Sequence, residues 1–231
     1  MLKQSLAASG HSSRSRGAVA SPRRSPGPGA PPAEPFAGEQ PLSSESSYEA
    51  LAFNGQDFSG QHAAMVTFSR CALARVNLSG TRLPRLDVSD VRMETCDLAN
   101  ATWEKARLSR SRLEGCRMVG LDLSGALLRK ATFQGCNLSL AHFRCAALKE
   151  VRFLDCDLRG CSFQDADLRG VLFQGCNLGE AEFSFAKLDG TDLRGSELQG
   201  LRVRIEDLRG AIVEPVQAAY LAGLMGLKVI S

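Results

Sequence analysis

The chain has 231 residues, 44% of them hydrophobic and 23% charged, with a formal net charge of +3. That length suits one elongated domain with a continuous core, and the near balance of charge excludes a chain that is strongly acidic or basic as a whole. No run reaches the roughly 18 consecutive apolar residues of a membrane span, so no membrane partner is expected.

Residues 1–46 differ in kind from the rest. Seven of the nine prolines lie there, in runs such as SPRRSPGPGAPP (21–32). Such a composition buries too little apolar surface to offset the entropy of ordering, and it reads as a disordered Pro/Ser/Arg-rich extension. Before Glu34 it carries five basic residues and no acidic one. A transit peptide, or nucleic-acid contact through Arg14, Arg16, Arg23 and Arg24, stands beside the plainer reading of an unstructured extension.

From Phe53 to Val213 every fifth residue has a core-type side chain, 33 positions of which only Ala63 is small. A period of five matches neither the 3.6 of a helix nor the 2 of a strand, so the chain repeats a short unit of its own. Two residues before each centre the side chain is small or modestly apolar, as at Val76, Ala101, Ala126, Ala141, Ala166 and Ala186. Asp or Asn often precedes the centre, and Gly commonly closes the unit. One large and one small inward residue followed by turn-favouring residues describe a chain that bends at every unit.

Stretches such as CDLRG (156–160), ADLRG (166–170) and TDLRG (191–195) closely resemble the A-(D/N)-L-x-x signature of the pentapeptide-repeat proteins. The resemblance covers residues 51–215 and implies an all-β fold, a right-handed quadrilateral β-helix with four units per coil. The sequence supports four sides independently. From Phe133 to Leu188 the centres alternate strictly between Phe and Leu. With twenty residues per coil, Phe133, Phe153 and Phe173 stack on one face and Phe143, Phe163 and Phe183 on the opposite one. Each layer then holds two Phe and two Leu, whereas a three-sided coil would scatter both over every side. Residues 51–210 make eight such coils, about 38 Å long at roughly 4.7–4.9 Å per coil. The repeat domain is expected to span residues 47–215.

Seven of the eight cysteines (Cys71, Cys96, Cys116, Cys136, Cys156, Cys161 and Cys176) occupy the small inward position; Cys145 does not. Five form a ladder at twenty-residue spacing, with side chains pointing in parallel, a geometry that disfavours disulfides. They read as buried thiols acting as small hydrophobes in a reducing, cytoplasmic compartment. No metal site and no cofactor are expected. His62 and His142 face outward four coils apart, about 19 Å, too far to share a metal or a substrate. No phosphate loop, HExxH or nucleophile elbow appears, and a straight filled prism offers no deep pocket, so the chain is not expected to be an enzyme.

After Val213 the period breaks. Pro215 suits a first helical position, and Gly223 or Gly226 can end the helix, which predicts a short C-terminal capping and dimerisation helix within residues 216–231. Its residues are apolar around most of the circumference, so one stripe caps the last coil and the other needs a partner. The expected homodimer interface is Leu221, Leu224, Met225 and Leu227. The alternative folds the helix flat over the end of the prism, with Leu227, Val229 and Ile230 completing the cap. The ending Glu214, Gln217-Ala218, Leu221 and Gly226-Leu227-Lys228-Val229-Ile230 resembles that of the quinolone-resistance (Qnr) and mycobacterial MfpA-type pentapeptide proteins. The resemblance implies two β-helices joined end to end, an acidic dimer that imitates duplex DNA, binds DNA gyrase and protects it from inhibitors.

Charge bears on that implication. Duplex DNA carries about one negative charge per 1.7 Å, on the order of 22 over 38 Å, whereas residues 47–231 hold 23 basic and 22 acidic side chains. A whole-length mimic fails on that count. Residues 151–215 alone hold 8 basic and 12 acidic residues. Asp155, Asp157, Asp165, Asp167, Glu180, Glu182 and Glu197 are therefore the candidate acidic surface for a topoisomerase, DNA gyrase or topoisomerase IV. No direct nucleic-acid binding is expected of the β-helix. The competing reading is a general interaction scaffold, an exported effector included, with another protein partner.

Overall fold

The computed structural model describes residues 34–36, 41–224 and 226–230. Every fifth residue from Glu45 to Gly200, and again Gly210, has a positive φ, between +49° and +81°. Between these left-handed corners the chain runs extended for one short side, and its inward residues are the pentad centre and the residue two before it. Four sides close one coil. All pairings from Ser47↔Thr67 to Asp192↔Ile212 are parallel and offset by twenty residues, with no inserted loop. We number the faces by their first centres: first Phe53, second Phe58, third Ala63, fourth Phe68. The first and fourth faces carry strands of two to four residues joined into parallel sheets, and the second and third are held by single bridges.

Corner amides tie the coils together. The N–H of Gly60 donates to the Ser79 carbonyl at 2.8 Å, and that of Leu140 to the Arg159 carbonyl at 2.8 Å. Nineteen of the corners are not glycine, and each stores roughly 1–2 kcal/mol of left-handed strain. The strain is spread over the coils, each of which the hydrogen bonds to its neighbours hold in place.

The interior is filled by stacked columns. Phe133, Phe153 and Phe173 lie on the first face with ring centroids 4.9 and 5.0 Å apart. Phe143, Phe163 and Phe183 stack on the third with the same spacings. Across the prism the two columns meet edge to face, as at Phe143 and Phe153, 6.0 Å apart and at 86°, an arrangement that suits the aromatic quadrupoles. Trp103 is buried in the third-face column between Leu83 and Leu123, and its indole N–H donates to Thr81 Oγ1 at 3.3 Å.

Both ends depart from the sequence expectation. The extension was expected to run to residue 46; residues 1–33 and 37–40 lie outside the described residues, but the rest of it joins the fold. Strand β1, Glu34–Pro35, pairs with the chain seventeen residues on, Glu34↔Leu51 and Pro35↔Ala52. Phe36 stacks on Phe53 at 4.6 Å, and Leu42 is buried. The physical reason is the open end of the first coil: Phe53 has no coil before it and Phe36 covers its ring, while Leu42 is buried at the same end with its N–H donating to Gln61 Oε1. Tyr48, one unit before Phe53, already holds a centre and stacks on Phe68 at 5.1 Å. At the other end seven coils are regular, and the eighth replaces its last side with a 3₁₀ turn, Ile205–Leu208. Helix α1, Pro215–Leu224, follows.

The ladder Cys96, Cys116, Cys136, Cys156 and Cys176 is buried and reduced, whereas Cys145 is exposed at a corner. Each ladder thiol donates to the carbonyl 23 residues earlier, Cys96 to Leu73 at 3.4 Å and Cys176 to Phe153 at 3.4 Å. Ser196, next in the column, makes the same bond to Phe173 at 3.2 Å. Burial pushes the Cys71 and Cys161 thiols above their ordinary value.

Two outcomes follow. Labelling of the native protein with a thiol reagent modifies Cys145 first and leaves the ladder untouched; ladder labelling at the rate of Cys145 would place those thiols outside. Leu140→Gly at an exposed corner with φ +60° relieves about 1–2 kcal/mol of left-handed strain against a chain-entropy cost of about 0.5–1 kcal/mol. Urea denaturation should show a gain of about 0.7 kcal/mol, the difference between the midpoints of those two ranges, and a clear loss of stability would show that the corner stores no such strain.

Candidate functional site

The coil register decides where each candidate acid stands. Asp157 and Glu197 share one column of the second face with Asn177 between them, and Asn177 Nδ2 donates to Glu197 Oε2 at 2.9 Å. Asp155 and Glu180 occupy corners on either edge of that face. Glu182 lies on the third face, where its Oε1 accepts the Ser184 N–H at 2.9 Å. Asp165 is the corner between the third and fourth faces, and Asp167 lies on the fourth, opposite Asp157. The structure thus gathers Asp155, Asp157, Glu180 and Glu197 around one side and carries Asp165, Asp167 and Glu182 elsewhere. The seven do not form one patch.

Two of them are also neutralised locally. In the Asp-Leu-Arg units at 157–159, 167–169 and 192–194 the leucine points inward, so the aspartate and arginine two residues apart both project from the same face. Arg159 Nε and Nη2 donate to the two Asp157 carboxylate oxygens at 2.9 and 2.6 Å. Arg169 grips Asp167 at 2.8 and 2.6 Å, and Arg194 holds Asp192 at 2.9 and 2.7 Å. These guanidinium bonds hold the three carboxyls below the usual carboxylate range. Among the described residues Asp155, Asp165, Glu180, Glu182 and Glu197 enter no ion pair. The signal was in the sequence: an arginine two residues after an aspartate on a short extended side.

The C-terminal end is built around a buried amide. The last coil has no successor, so the Ser196 carbonyl would lie without a backbone donor beneath α1, a costly arrangement. Gln217 Nε2 donates to the Leu193 and Ser196 carbonyls at 2.8 and 2.7 Å, and its Oε1 accepts the Glu214 N–H at 2.8 Å. The Gly200 N–H donates to the Tyr220 hydroxyl at 2.7 Å. With the helix pinned this way Leu221 faces the core and is 6% exposed. This corrects the expectation that Leu221 lies at a dimer interface. Leu224 and Leu227 are exposed, as an interface requires, and Met225 lies outside the described residues. Val216, Val229 and Ile230, which sequence reasoning left out of the interface, are exposed as well, at 72%, 55% and 82%. Leu227, Val229 and Ile230 therefore do not complete the cap.

His62 and His142 stand in one column of the third face, separated by Arg82, Thr102 and Asp122. No cluster of three or more His, Cys, Asp or Glu suited to a metal ion occurs among the described residues.

With this geometry in view, the family model described as "Pentapeptide repeat region" matches residues 86–143 and 128–203, together spanning half of the chain. The chain belongs to the pentapeptide-repeat family. The chain also has matches among solved structures. HetL, a pentapeptide-repeat protein involved in heterocyst differentiation regulation in the cyanobacterium Nostoc sp. strain PCC 7120, is 21% identical, covering 73% of this chain and 87% of its own, with a TM-score of 0.42. Full-length QnrB1, a plasmid-mediated fluoroquinolone resistance protein, is 22% identical, covering 79% of this chain and all of its own, with a TM-score of 0.34. No curated protein sequence matched the chain.

The depressed carboxyls set the pH response. A carboxyl whose folded value lies below its unfolded value of about 4 contributes stability above that pH and loses it as pH falls through the folded value. Thermal stability should stay level from about pH 7 to 5 and decline below about pH 4. In Arg159→Gln the Asp157 carboxyl should titrate closer to the ordinary range by NMR. An unchanged titration would show that Arg159 does not hold it in solution.

Proposed function

We propose that the chain is a non-enzymatic interaction protein that acts as an end-to-end homodimer. One observation carries this reading: the C-terminal end exposes Val216, Leu224, Leu227, Val229 and Ile230 on and beyond α1, after Gln217 and Leu221 have already closed the coil. An end with so many exposed apolar side chains calls for a partner, and a two-fold pairing of like ends covers both copies at once. The reduced thiols suit a cytoplasmic home.

The partner we propose is a type II topoisomerase, DNA gyrase or topoisomerase IV, bound so as to protect it from inhibitors. What favours it is the ending Glu214, Gln217-Ala218 and Leu221, which resembles that of the quinolone-resistance proteins and here anchors the end of the prism. The self-neutralised Asp157 and Asp167 argue against imitation of DNA along the whole rod. Contact through Asp155, Glu180 and Glu197, around the second face of the central coils, is the form of the reading that the charges support. A scaffold for a different protein is the second reading, favoured by the balanced surface charge.

Light scattering on the wild type should give twice the 24.8 kDa of one chain. Burial of one such side chain stabilises by roughly 1.5–3 kcal/mol, counted twice across a two-fold interface. Leu224→Glu should therefore give a folded monomer, whereas Leu221→Glu should loosen the end of the prism itself. A wild type already monomeric at tens of micromolar contradicts the dimer. Titrating the protein into gyrase supercoiling reactions with and without a quinolone tests the partner. Protection that survives Glu180→Lys with Glu197→Lys would remove the second face from the contact, and no effect on any topoisomerase would leave the scaffold reading.

A further inference from the structure

We propose that the fourth face carries a second docking site, a groove for a short extended acidic segment of a partner protein anchored by an apolar side chain. The groove, about 520 Å³, is lined by Leu127, Leu128, Arg129, Ala147, Leu148, Lys149, Asp167 and Arg169. Its floor is apolar: Leu127 is 46% exposed, and Ala147 beside it in register is too small to fill the next rung. Its wall is basic. Arg129 and Lys149 stand one directly above the other, Leu127 pairs on its other side with Arg107, and Lys130 sits at the adjoining corner.

This column lacks the ion pairs that relieve stacked cations on the first face, where Arg92 and Arg112 lie in register but are held by Glu94 and Glu114. At other places neighbouring coils answer a cation with a carboxylate, as Asp90 answers Arg110 at 2.6 Å and Asp97 answers Arg117 at 2.9 Å. Here like charges face each other across adjacent rungs, a destabilising pairing, and among the described residues Arg107, Arg129 and Lys149 have no carboxylate partner. An exposed leucine occupies the position where a carboxylate would relieve them. Lys130 lies 3.8 Å from Glu150, and Asp167 is already taken up by Arg169.

The extent and chemistry of the site select its occupant. Asp87 closes the same face on one side and the Asp167–Arg169 pair on the other, so the unpaired basic stretch spans three rungs. That is roughly 15 Å, the reach of four or five extended residues, and short for a nucleic-acid track. No aromatic side chain lines the groove on which a base could stack. The chain's own residues before Glu34 are basic, so this wall repels them. A partner segment of Asp and Glu flanking one leucine matches both wall and floor.

The test uses the full chain and a fluorescein-labelled heptapeptide of Asp and Glu with a central leucine, read by fluorescence anisotropy. Binding should weaken about tenfold or more in Arg129→Glu with Lys149→Glu, and similarly when Leu127 is changed to Asp. It should also weaken when the peptide leucine becomes serine, and stay unchanged in Arg82→Glu on the third face. Circular dichroism and urea midpoints establish that each variant is folded. The proposal is overturned if the groove variants bind the peptide as the wild type does. It is also overturned if the serine peptide binds equally well, or if duplex DNA of equal charge displaces the peptide at lower concentration. The dimer is read separately by mass, because the groove lies coils away from α1.

Discussion

One backbone constraint governs this molecule: the chain must turn a corner every five residues, and it does so by placing the fifth in the left-handed region. Most corner amides then donate to the carbonyl nineteen residues on, so the corner that bends the chain also ties one coil to the next. From that follow the parallel twenty-residue register, the unbroken columns of side chains and the absence of any insertion between residues 51 and 213. A single added residue would rotate every later centre out of the interior, a penalty far larger than one side chain's burial. Large residues are tolerated at corners such as Leu140 and Phe185 because they project into solvent.

The same register organises surface chemistry. Residues twenty apart stack at one rung spacing, residues ten apart stand on opposite faces, and residues two apart on one side share a face. Net charge over a stretch of sequence is therefore a poor guide to the field outside it. The acidic excess of residues 151–215 is dispersed over all four faces and partly cancelled within Asp-Leu-Arg units. The fourth face, in a region with more bases than acids, concentrates its cations around one exposed leucine. Chemistry at the ends is separate from chemistry on the sides, because only an end has carbonyls without a following coil to donate to them.

Much of the fold was legible. The alternation of Phe and Leu from residue 133 to 188 fixed four sides and the two aromatic stacks, and the spacing of Cys96 to Cys176 placed those thiols inside. Pro215 marked the start of α1. The N-terminal end was not legible, because Phe36 and Leu42 pack outside the five-residue period, with β1 paired at seventeen residues instead of twenty. Within the candidate site the opposition of Asp157 and Asp167 was implicit in their ten-residue separation, and their arginine clamps in the two-residue spacing to Arg159 and Arg169. The inward turn of Leu221 was hidden for another reason: it depends on Gln217 finding two carbonyls of the last coil, a contact that hydrophobic pattern alone does not reveal.

The account joins two straight prisms through their C-terminal ends, and a distance measured across that junction tests it most directly. Cys145 is the exposed cysteine, so one spin label per chain can be attached there without mutation. It stands about three coils from the end of the β-helix. At about 4.8 Å per coil and about 10 Å for each packed terminal helix, an end-to-end dimer predicts a single label-to-label distance on the order of 50 Å by pulsed dipolar spectroscopy. No dipolar modulation, or a distance under about 30 Å from prisms lying side by side about 10 Å or more apart, would contradict it.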